Sequence, residues 1–279
     1  MRQNKRKLFC EISPTTYAIS LQKEICKRHI KNLISDAKIA KVIQKDGLPN
    51  VVSSHSSNLI KKGVGIEPKL QENKVTNIEL ACSKISGILI HPGEVFSFWQ
   101  LVGKITKKKG YLHGRVIQRN IVQPGIGGGL CNLGNTINWL VLHSPLDVVE
   151  FHSHSDALAP DEGERAPFTS GTSVFYNNID YRFKNNTDQV IQLLVWCDDE
   201  KLHGEIRSEK DFPWQYKLIE ENHRFEKEEE KYYRLSKIYK ETVEKSTGNI
   251  LEKKLILDNH SEVMFDYSLI PKDQIVELA

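Results

Sequence analysis

A cysteine that closely follows a run of glycines is the feature of this sequence most suggestive of chemistry. The run is Gly127-Gly128-Gly129, and Cys131 opens a segment with helical periodicity. The N-terminus of a helix carries a partial positive charge and free N–H groups, which lower the pKa of a thiol placed there. This pattern is typical of a cysteine nucleophile whose oxyanion site is formed by neighbouring N–H groups.

A cysteine nucleophile needs a base, and two histidines further along the chain are candidates. His152 and His154 lie at the end of a predicted strand, and Asp156 is close enough in sequence to orient one imidazole. The resulting hypothesis is a thiol-dependent hydrolase or transferase. In it, Cys131 is the nucleophile, His152 or His154 is the base, and Asp156 is the orienting group.

The same residues leave other interpretations open. A cysteine is also a small buried hydrophobe, and glycines also occur where a loop packs tightly against a helix. His152 and His154 could be zinc ligands completed by Cys131, His143 or Asp156, but the spacing matches no standard zinc motif. The glycine run lacks both the GxxxxGK[ST] and the GxGxxG spacing of phosphate and dinucleotide sites. We therefore expect neither a bound metal nor a cofactor.

Three helices are predicted in the first half of the chain, where they would position these residues. Residues 17–45 and residues 74–89 place apolar side chains at helical spacing. The glycine run then leads into a third helix over 131–143. Residues 47–72 are polar and predict a loop with short elements.

Strands are predicted in the second half of the chain. From residue 173 onward, short apolar runs alternate with turn signals such as Asn177-Asn178, and Thr247-Gly248-Asn249 is typical of a hairpin turn. Asp180 and Arg182 lie on one face of a predicted strand, where a surface ion pair would contribute little stability.

These patterns predict an α+β protein. It has a helical N-terminal part, a central glycine-rich loop followed by a helix, and an antiparallel β-rich C-terminal half. We expect a basic helical segment over 1–73, a core domain over 74–210, and a hairpin-rich extension over 211–279 packed on the core.

The amino-acid composition and the distribution of apolar and basic segments limit the classes of protein to which this chain could belong. The 279 residues are 39% hydrophobic and 27% charged, which is ordinary for a soluble globular chain. No apolar run is long enough to span a membrane, and the basic start over 1–9 lacks the apolar stretch of a secretory signal, so we expect a cytoplasmic location. Residues 1–64 are basic, but without the interleaved aromatic rings of a single-strand platform, so no nucleic-acid partner is expected.

Several unusual motifs follow one another between about residues 75 and 195. They are Asn77-Ile78-Glu79-Leu80-Ala81, His91-Pro92-Gly93-Glu94-Val95-Phe96-Ser97-Phe98-Trp99, Val102-Gly103, Gly110-Tyr111, Gly127-Gly128-Gly129-Leu130-Cys131, Glu150 with His152 and His154, and Asp180-Tyr181-Arg182-Phe183-Lys184-Asn185. In this order they resemble the VanW family, known from a glycopeptide-resistance cluster.

The resemblance implies a link to the bacterial cell envelope and to vancomycin-type resistance. For the hypothetical thiol enzyme it implies a peptidoglycan precursor or fragment as substrate. The alternative is a non-catalytic binding module for a cell-wall fragment or a metal ion. Its pocket would combine the histidines with an aromatic pair, the glycine run and the residue after the cysteine, which are Phe98, Trp99, Gly127, Gly128, Gly129 and Asn132.

Two positions depart from the pattern of the family. Asn132 stands where the family usually has Gln, and Phe151 stands where it usually has Arg. The shorter Asn132 amide would change the geometry of an oxyanion donor, and Phe151 would remove a contact to a substrate carboxylate. Either difference predicts an altered or lost activity.

Overall fold

A computed structural model describes residues 8–60, 67–118, 121–158, 160–161, 165–169, 171–176 and 179–276 of the chain. Two sequence-based expectations fall elsewhere. The basic start over 1–7 and the turn at Asn177-Asn178 lie outside the described residues.

Five α-helices occur in the first half of the described chain, and local sequence sets where they begin. The longest helix starts with Pro14 at its first position, where a missing N–H costs nothing, and Ser13 Oγ accepts a hydrogen bond from Thr16 N at 3.1 Å. None of the described helices has both the length and the apolar character needed to cross a membrane. The helices are α1 (Phe9–Ile12), α2 (Pro14–Leu33), α3 (Pro68–Ile85), α4 (Phe98–Val102) and α5 (Leu130–Leu142).

Four sheets account for the strands. The strands are β1 (Val42–Ile43), β2 (Asn50–Asn58), β3 (Ile88–Ile90), β4 (Val95–Ser97), β5 (His113–Gln118), β6 (Ile121–Ile126), β7 (Asp147–Glu150), β8 (Arg182–Lys184), β9 (Ile191–Cys197), β10 (Lys201–Ser208), β11 (Trp214–Glu228), β12 (Lys231–Glu244), β13 (Ile250–Glu262) and β14 (Ile275–Val276). Their orders are β1-β3-β9-β10-β2, β13-β12-β11-β14, β4-β8-β7 and β5-β6. The strand pairs are antiparallel except β11 with β14, which confirms the predicted α+β class and its β-rich C-terminal half.

The main hydrophobic core lies between the five-stranded sheet and helices α3 and α5. Ile78 and Ile85 of α3, Leu133 and Ile137 of α5, and Leu193 of β9 are all 0% exposed. Burying each such side chain contributes roughly 1.5–3 kcal/mol. The core therefore fixes α5, and with it the position of Cys131.

The strands after residue 213 form a separate sheet of long hairpins, here called the C-terminal sheet (β11 to β14). Gly248 turns the chain between β12 and β13 with φ of +76°, which confirms the predicted hairpin. The sheet contacts the core where Lys240 Nζ donates to the Ser144 carbonyl oxygen at 2.7 Å. Strand β13 is an open edge whose exposed Ile250, Leu251 and Leu255 flank the charged run 252–254.

The predicted helix over 17–45 is wrong beyond Leu33. Ser35 Oγ accepts a hydrogen bond from Ala37 N at 3.2 Å, an alternative to helical pairing that Ser favours. Ile39 then bridges Val95, and β1 pairs with β3.

The predicted loop over 47–72 is also wrong, because it contains β2 and the first turns of α3. The inward-facing Ser53 of β2 is polar, and its Oγ is satisfied by the Leu140 carbonyl oxygen at 2.9 Å. A strand that buries serine lacks the apolar alternation by which strands are recognised. The second helix begins and ends earlier than predicted, since Gly87 (φ +88°) turns the chain into β3.

Candidate functional site

The glycine run packs against the hairpin of β5 and β6. A Cβ atom at position 128 would lie 2.2 Å from the carbonyl carbon of Gly114, so the two backbones touch. A Cβ at Gly129, whose φ is +99°, would lie 2.3 Å from Lys74 Cγ. Glycine is therefore required here for the close approach of other parts of the chain.

Asn77 of α3 fixes this loop from inside the protein. Its Nδ2 donates to the carbonyl oxygens of Gly128 (2.9 Å) and Leu112 (3.1 Å), and its Oδ1 accepts from Leu112 N (2.8 Å). Asn77 is fully buried, so all three hydrogen bonds are shielded from water. The loop is thus a packed part of the core domain.

Cys131 lies in the first turn of α5, as predicted, and its side chain is partly buried. Burial raises the pKa of Cys131, which is opposite in direction to the lowering expected at the start of a helix. Its Sγ donates weakly to the Val174 carbonyl oxygen at 3.9 Å. The sulfur is therefore protonated near neutral pH.

A short extended segment, residues 171–174, lies between Cys131 and the two histidines. On one side its backbone hydrogen-bonds to the backbones of His152 and His154, each at 2.8 Å. The Val174 carbonyl oxygen of this segment accepts from the Cys131 thiol, and Thr172 N donates to Asn135 Oδ1 at 2.8 Å. Among the described contacts, no imidazole nitrogen is hydrogen-bonded to Cys131 Sγ.

The two histidines have different partners. His152 is 40% exposed in its side chain, and its Nε2 lies 3.2 Å from Glu150 Oε1. His154 Nδ1 donates to the Ser155 carbonyl oxygen at 2.7 Å, and burial lowers the pKa of His154, so the ring is neutral near pH 7. The predicted strand ends earlier, at Glu150. The two imidazole rings do not share a hydrogen-bond partner.

Asp156 binds an arginine. Its Oδ2 lies 2.5 Å from Arg165 Nη2, and Arg165 Nε lies 2.8 Å from Glu220 Oε2 of the C-terminal sheet. The negative charge of Asp156 also favours protonated His154, although burial of the ring has the larger effect on that pKa. The catalytic roles of Cys131, His152, His154 and Asp156 stay predictions.

The other residues assigned to a ligand pocket lie in the interior or beside β2. Phe98 and Trp99 belong to the main core, and Trp99 Nε1 donates to the Ile179 carbonyl oxygen at 2.9 Å. Asn132 Oδ1 accepts from Ser57 Oγ at 3.4 Å. Their ligand-binding roles, like those of the glycines, stay predictions.

A buried group of charges, here called the charge cluster (Arg28, Glu150, Asp180 and Arg182), was not anticipated. Arg28 Nη1 donates to Glu150 Oε2 at 2.9 Å, and Arg28 Nη2 donates to Glu150 Oε1. Arg182 Nε lies 2.7 Å from Asp180 Oδ2 and 3.7 Å from Glu150 Oε2. Burial alone would raise the pKa of Glu150, but the hydrogen bonds and charges of its partners outweigh it and lower that pKa.

The prediction that Asp180 and Arg182 form a surface pair is wrong. They are 1% and 6% exposed, and Asp180 also accepts hydrogen bonds from Ser97 Oγ (2.6 Å) and Trp99 N (3.0 Å). The sequence carried no clear signal of this burial, because Asp180, Arg182 and Lys184 alternate with Tyr181 and Phe183, a pattern typical of a strand whose charges face solvent. Charged residues are almost never fully buried unless they are paired, and these two pair with each other.

Two surface cavities bear on the predicted site residues. The first, here called the polar cavity, measures about 360 Å³ and is lined by Ser153, His154 and Ser155 on one side and by the end of β13 on the other. The second, here called the aromatic cavity, measures about 680 Å³ and lies between the end of α5, β7 and the C-terminal sheet. Phe151 lines the aromatic cavity, whereas Cys131 lines neither of the two.

A zinc site would require a cluster of ligand side chains. Within the ranges that the structure describes, no three His, Cys, Asp or Glu side chains are grouped so as to hold a metal ion. His143, one of the suggested ligands, stacks on Trp139 at 3.6 Å and donates from Nδ1 to the Trp139 carbonyl oxygen at 2.8 Å.

Comparisons with known proteins find the same family that the sequence motifs resemble. Residues 73–207 match a family model described as "VanW like protein". The chain is 29% identical over 226 residues to "Vancomycin B-type resistance protein VanW" of Enterococcus faecalis, which covers 81% of the chain and 82% of the relative. It is 31% identical over 115 residues to "Uncharacterized protein YoaR" of Bacillus subtilis, covering 41% of the chain and 36% of that relative. No solved structure matches the chain.

Proposed function

The chain belongs to the VanW family, and on this basis we propose that it contributes to vancomycin-type resistance by binding a peptidoglycan precursor or fragment without covalent chemistry. The similarity to the Enterococcus faecalis relative extends over most of both chains, which supports a related role. The observation that carries the proposal is that the predicted histidine His154 lines the polar cavity, while the predicted nucleophile Cys131 does not.

The polar cavity suits a ligand rich in hydroxyl and amide groups. Its lining residues are mostly polar and include Ser153, Ser155, Asn259, Ser261 and Glu262, several of which also hydrogen-bond to one another. Burial lowers the pKa of His154, so this ring brings no positive charge to the cavity, whose lining also includes the acidic residues Asp258 and Glu262. Sugar and peptide portions of a cell-wall fragment offer matching donors and acceptors.

A thiol-dependent hydrolase or transferase needs a thiolate and a base within reach of it. The raised pKa of Cys131 and the segment 171–174 between its sulfur and the histidines do not favour that chemistry. Cys131→Ser separates the two functions, since a binder tolerates this change and a thiol enzyme does not.

The proposal is tested by titrating a soluble disaccharide-pentapeptide into the protein and measuring binding by calorimetry. We expect binding by the wild-type chain, unchanged binding by Cys131→Ser, and affinity reduced about tenfold in His154→Ala, which loses a buried polar partner. The matched control is His203→Ala, because His203 lies on β10 and pairs with Asp198 away from the cavity.

Two results would overturn this function. One is the absence of any heat of binding with the wild-type chain. The other is a loss of vancomycin resistance in cells carrying Cys131→Ser while the purified variant still folds, which would establish a thiol-dependent enzyme instead.

A further inference from the structure

The aromatic cavity has the size and walls of a small-molecule site. Its volume of about 680 Å³ lies within the range of roughly 300–1,000 Å³ for ligand pockets. Phe151 and Phe168, which meet edge to face at 6.0 Å, form the wall on the core side. Trp214 and Tyr216 of β11 form part of the opposite wall.

Lys240 brings a half-buried positive charge to this cavity. Its Nζ donates to the Ser144 carbonyl oxygen at 2.7 Å and lies 4.3 Å above the centre of the Tyr216 ring. In the described part of the chain, no carboxylate oxygen lies within 4.0 Å of this ammonium group. A buried cation without a counter-ion is unfavourable, and an anion in the cavity would compensate it.

The charges that face Lys240 from neighbouring elements do not replace a counter-ion. Asp147 of β7 and Glu252 of β13, which also line the cavity, attract its charge from beyond ion-pair distance, and Lys254 of β13, a third lining residue, opposes it. Burial has the largest effect and lowers the pKa of Lys240 to about 8. The ammonium form predominates at neutral pH and is lost as the pH rises above that value.

Asn138 adds a neutral donor for which the described residues provide no acceptor. The side chain is 1% exposed, its Oδ1 accepts from Tyr181 OH at 3.0 Å, and its Nδ2 has no hydrogen-bond partner. An unsatisfied buried amide costs roughly 1–3 kcal/mol. Since Asn138 lines the aromatic cavity, an oxygen atom of a bound molecule would satisfy it.

We propose that the aromatic cavity binds a small amphipathic anion, a molecule with an apolar ring body and one carboxylate or sulfonate group. Lys240 supplies the counter-charge, Asn138 donates to an oxygen of the ligand, and the aromatic walls cover its apolar body. This site is distinct from the polar cavity, because the residues that line the two cavities do not overlap.

The test uses two fluorescent probes with the same rings. 1-Anilinonaphthalene-8-sulfonate carries a sulfonate, and N-phenyl-1-naphthylamine is its neutral counterpart. We expect both to bind the full chain with one site, the anion more tightly. Lys240→Met should weaken binding of the sulfonate at least tenfold and leave the neutral probe within about twofold.

Two further variants keep the result interpretable. Lys240→Arg retains the charge and should retain binding of the sulfonate, which shows that the cation matters rather than the shape of lysine. Lys237→Met is the control on the same strand, since Lys237 does not line the cavity, and it should change neither affinity.

Raising the pH provides an independent measurement. Affinity of the wild-type chain for the sulfonate should fall between about pH 7 and pH 9.5 as Lys240 loses its proton, while affinity for the neutral probe stays level. The proposal is overturned if neither probe binds, or if Lys240→Met weakens both equally. Sulfonate binding that survives in His154→Ala, together with absent muropeptide binding, would refute only the proposed function.

Discussion

The glycine loop with Cys131 and the charge cluster around Glu150 both depart from what their residue types suggest, and they do so in opposite directions. The loop contains the residues most often found at catalytic centres, yet they hold two backbones together and keep a protonated thiol in place. The charge cluster is made of residues that are usually exposed, yet it is buried and joins α2 to the three-stranded sheet.

This difference shows that residue type indicates chemistry only through its surroundings. A glycine allows either a ligand or another segment of the chain to approach its backbone closely. At Gly128 the approaching segment is the backbone of Gly114 in β5. An acid in a strand can face water or an arginine, and Glu150 meets Arg28 from a helix more than a hundred positions away in the chain. The two regions can therefore be compared by measuring how far a substitution in each lowers the free energy of unfolding.

The largest effect is expected from removing the charge at the centre of the cluster. Glu150→Gln removes the carboxylate that pairs with buried Arg28, while Arg182 keeps Asp180, and this should lower the free energy of unfolding by about 3–5 kcal/mol. Urea denaturation measures this change. Glu24→Gln is the control, because the Glu24–Lys27 pair is exposed and should contribute only about 0–1 kcal/mol. Equal losses of unfolding free energy in the two variants would mean that the charge of Glu150 stabilises the fold no more than the charge of an exposed ion pair does.

The same cluster predicts a dependence of stability on pH. Because its partners lower the pKa of Glu150 below the unfolded value of about 4.3, its contribution is complete above that value and disappears as the pH falls through the folded pKa. The difference between wild type and Glu150→Gln, measured from pH 7 to pH 3, should therefore be constant above about pH 5 and shrink below about pH 4. A difference that grew on acidification would have the wrong sign for this ion pair.

A smaller loss is expected in the loop. Gly128→Ala places a Cβ against the Gly114 backbone and should cost about 1–3 kcal/mol through overpacking. Gly93→Ala is a matched control, since nothing lies within 4 Å of its Cβ and only the φ of +80° opposes the change. An unchanged unfolding midpoint in Gly128→Ala would show that the loop is free to open, as a ligand site would require.

The smallest effect concerns thiol reactivity. Cys197 should react with iodoacetamide faster than Cys131, because a hydrogen bond from the Cys82 thiol lowers the pKa of Cys197 whereas burial raises that of Cys131. Peptide mapping after timed alkylation at pH 8 gives both rates, and Cys82→Ala, which removes the hydrogen-bond donor, should slow Cys197. Faster labelling of Cys131 would restore it as a candidate nucleophile.

Sequence patterns predicted the parts of this fold that follow a local rule. Helix α5 after Gly129 and the hairpin at Gly248 were predicted correctly because glycine and apolar periodicity act within a few residues. Strand β2 was missed because its buried Ser53 depends on a carbonyl of α5, a partner that lies far away in sequence. The charge cluster was missed for the same reason, since Arg28 and Glu150 meet only in the folded chain.

The open edge at β13 has a consequence for self-association. An unpaired strand with exposed Ile250, Leu251 and Leu255 is a template on which a strand of another copy could add. The lysines at 253 and 254 lie within this edge, and a second strand docking there in register would bring equal charges together. Neutralising these two amines, by acetylation for example, would remove this repulsion between copies and also the pairing of Lys253 with Glu221.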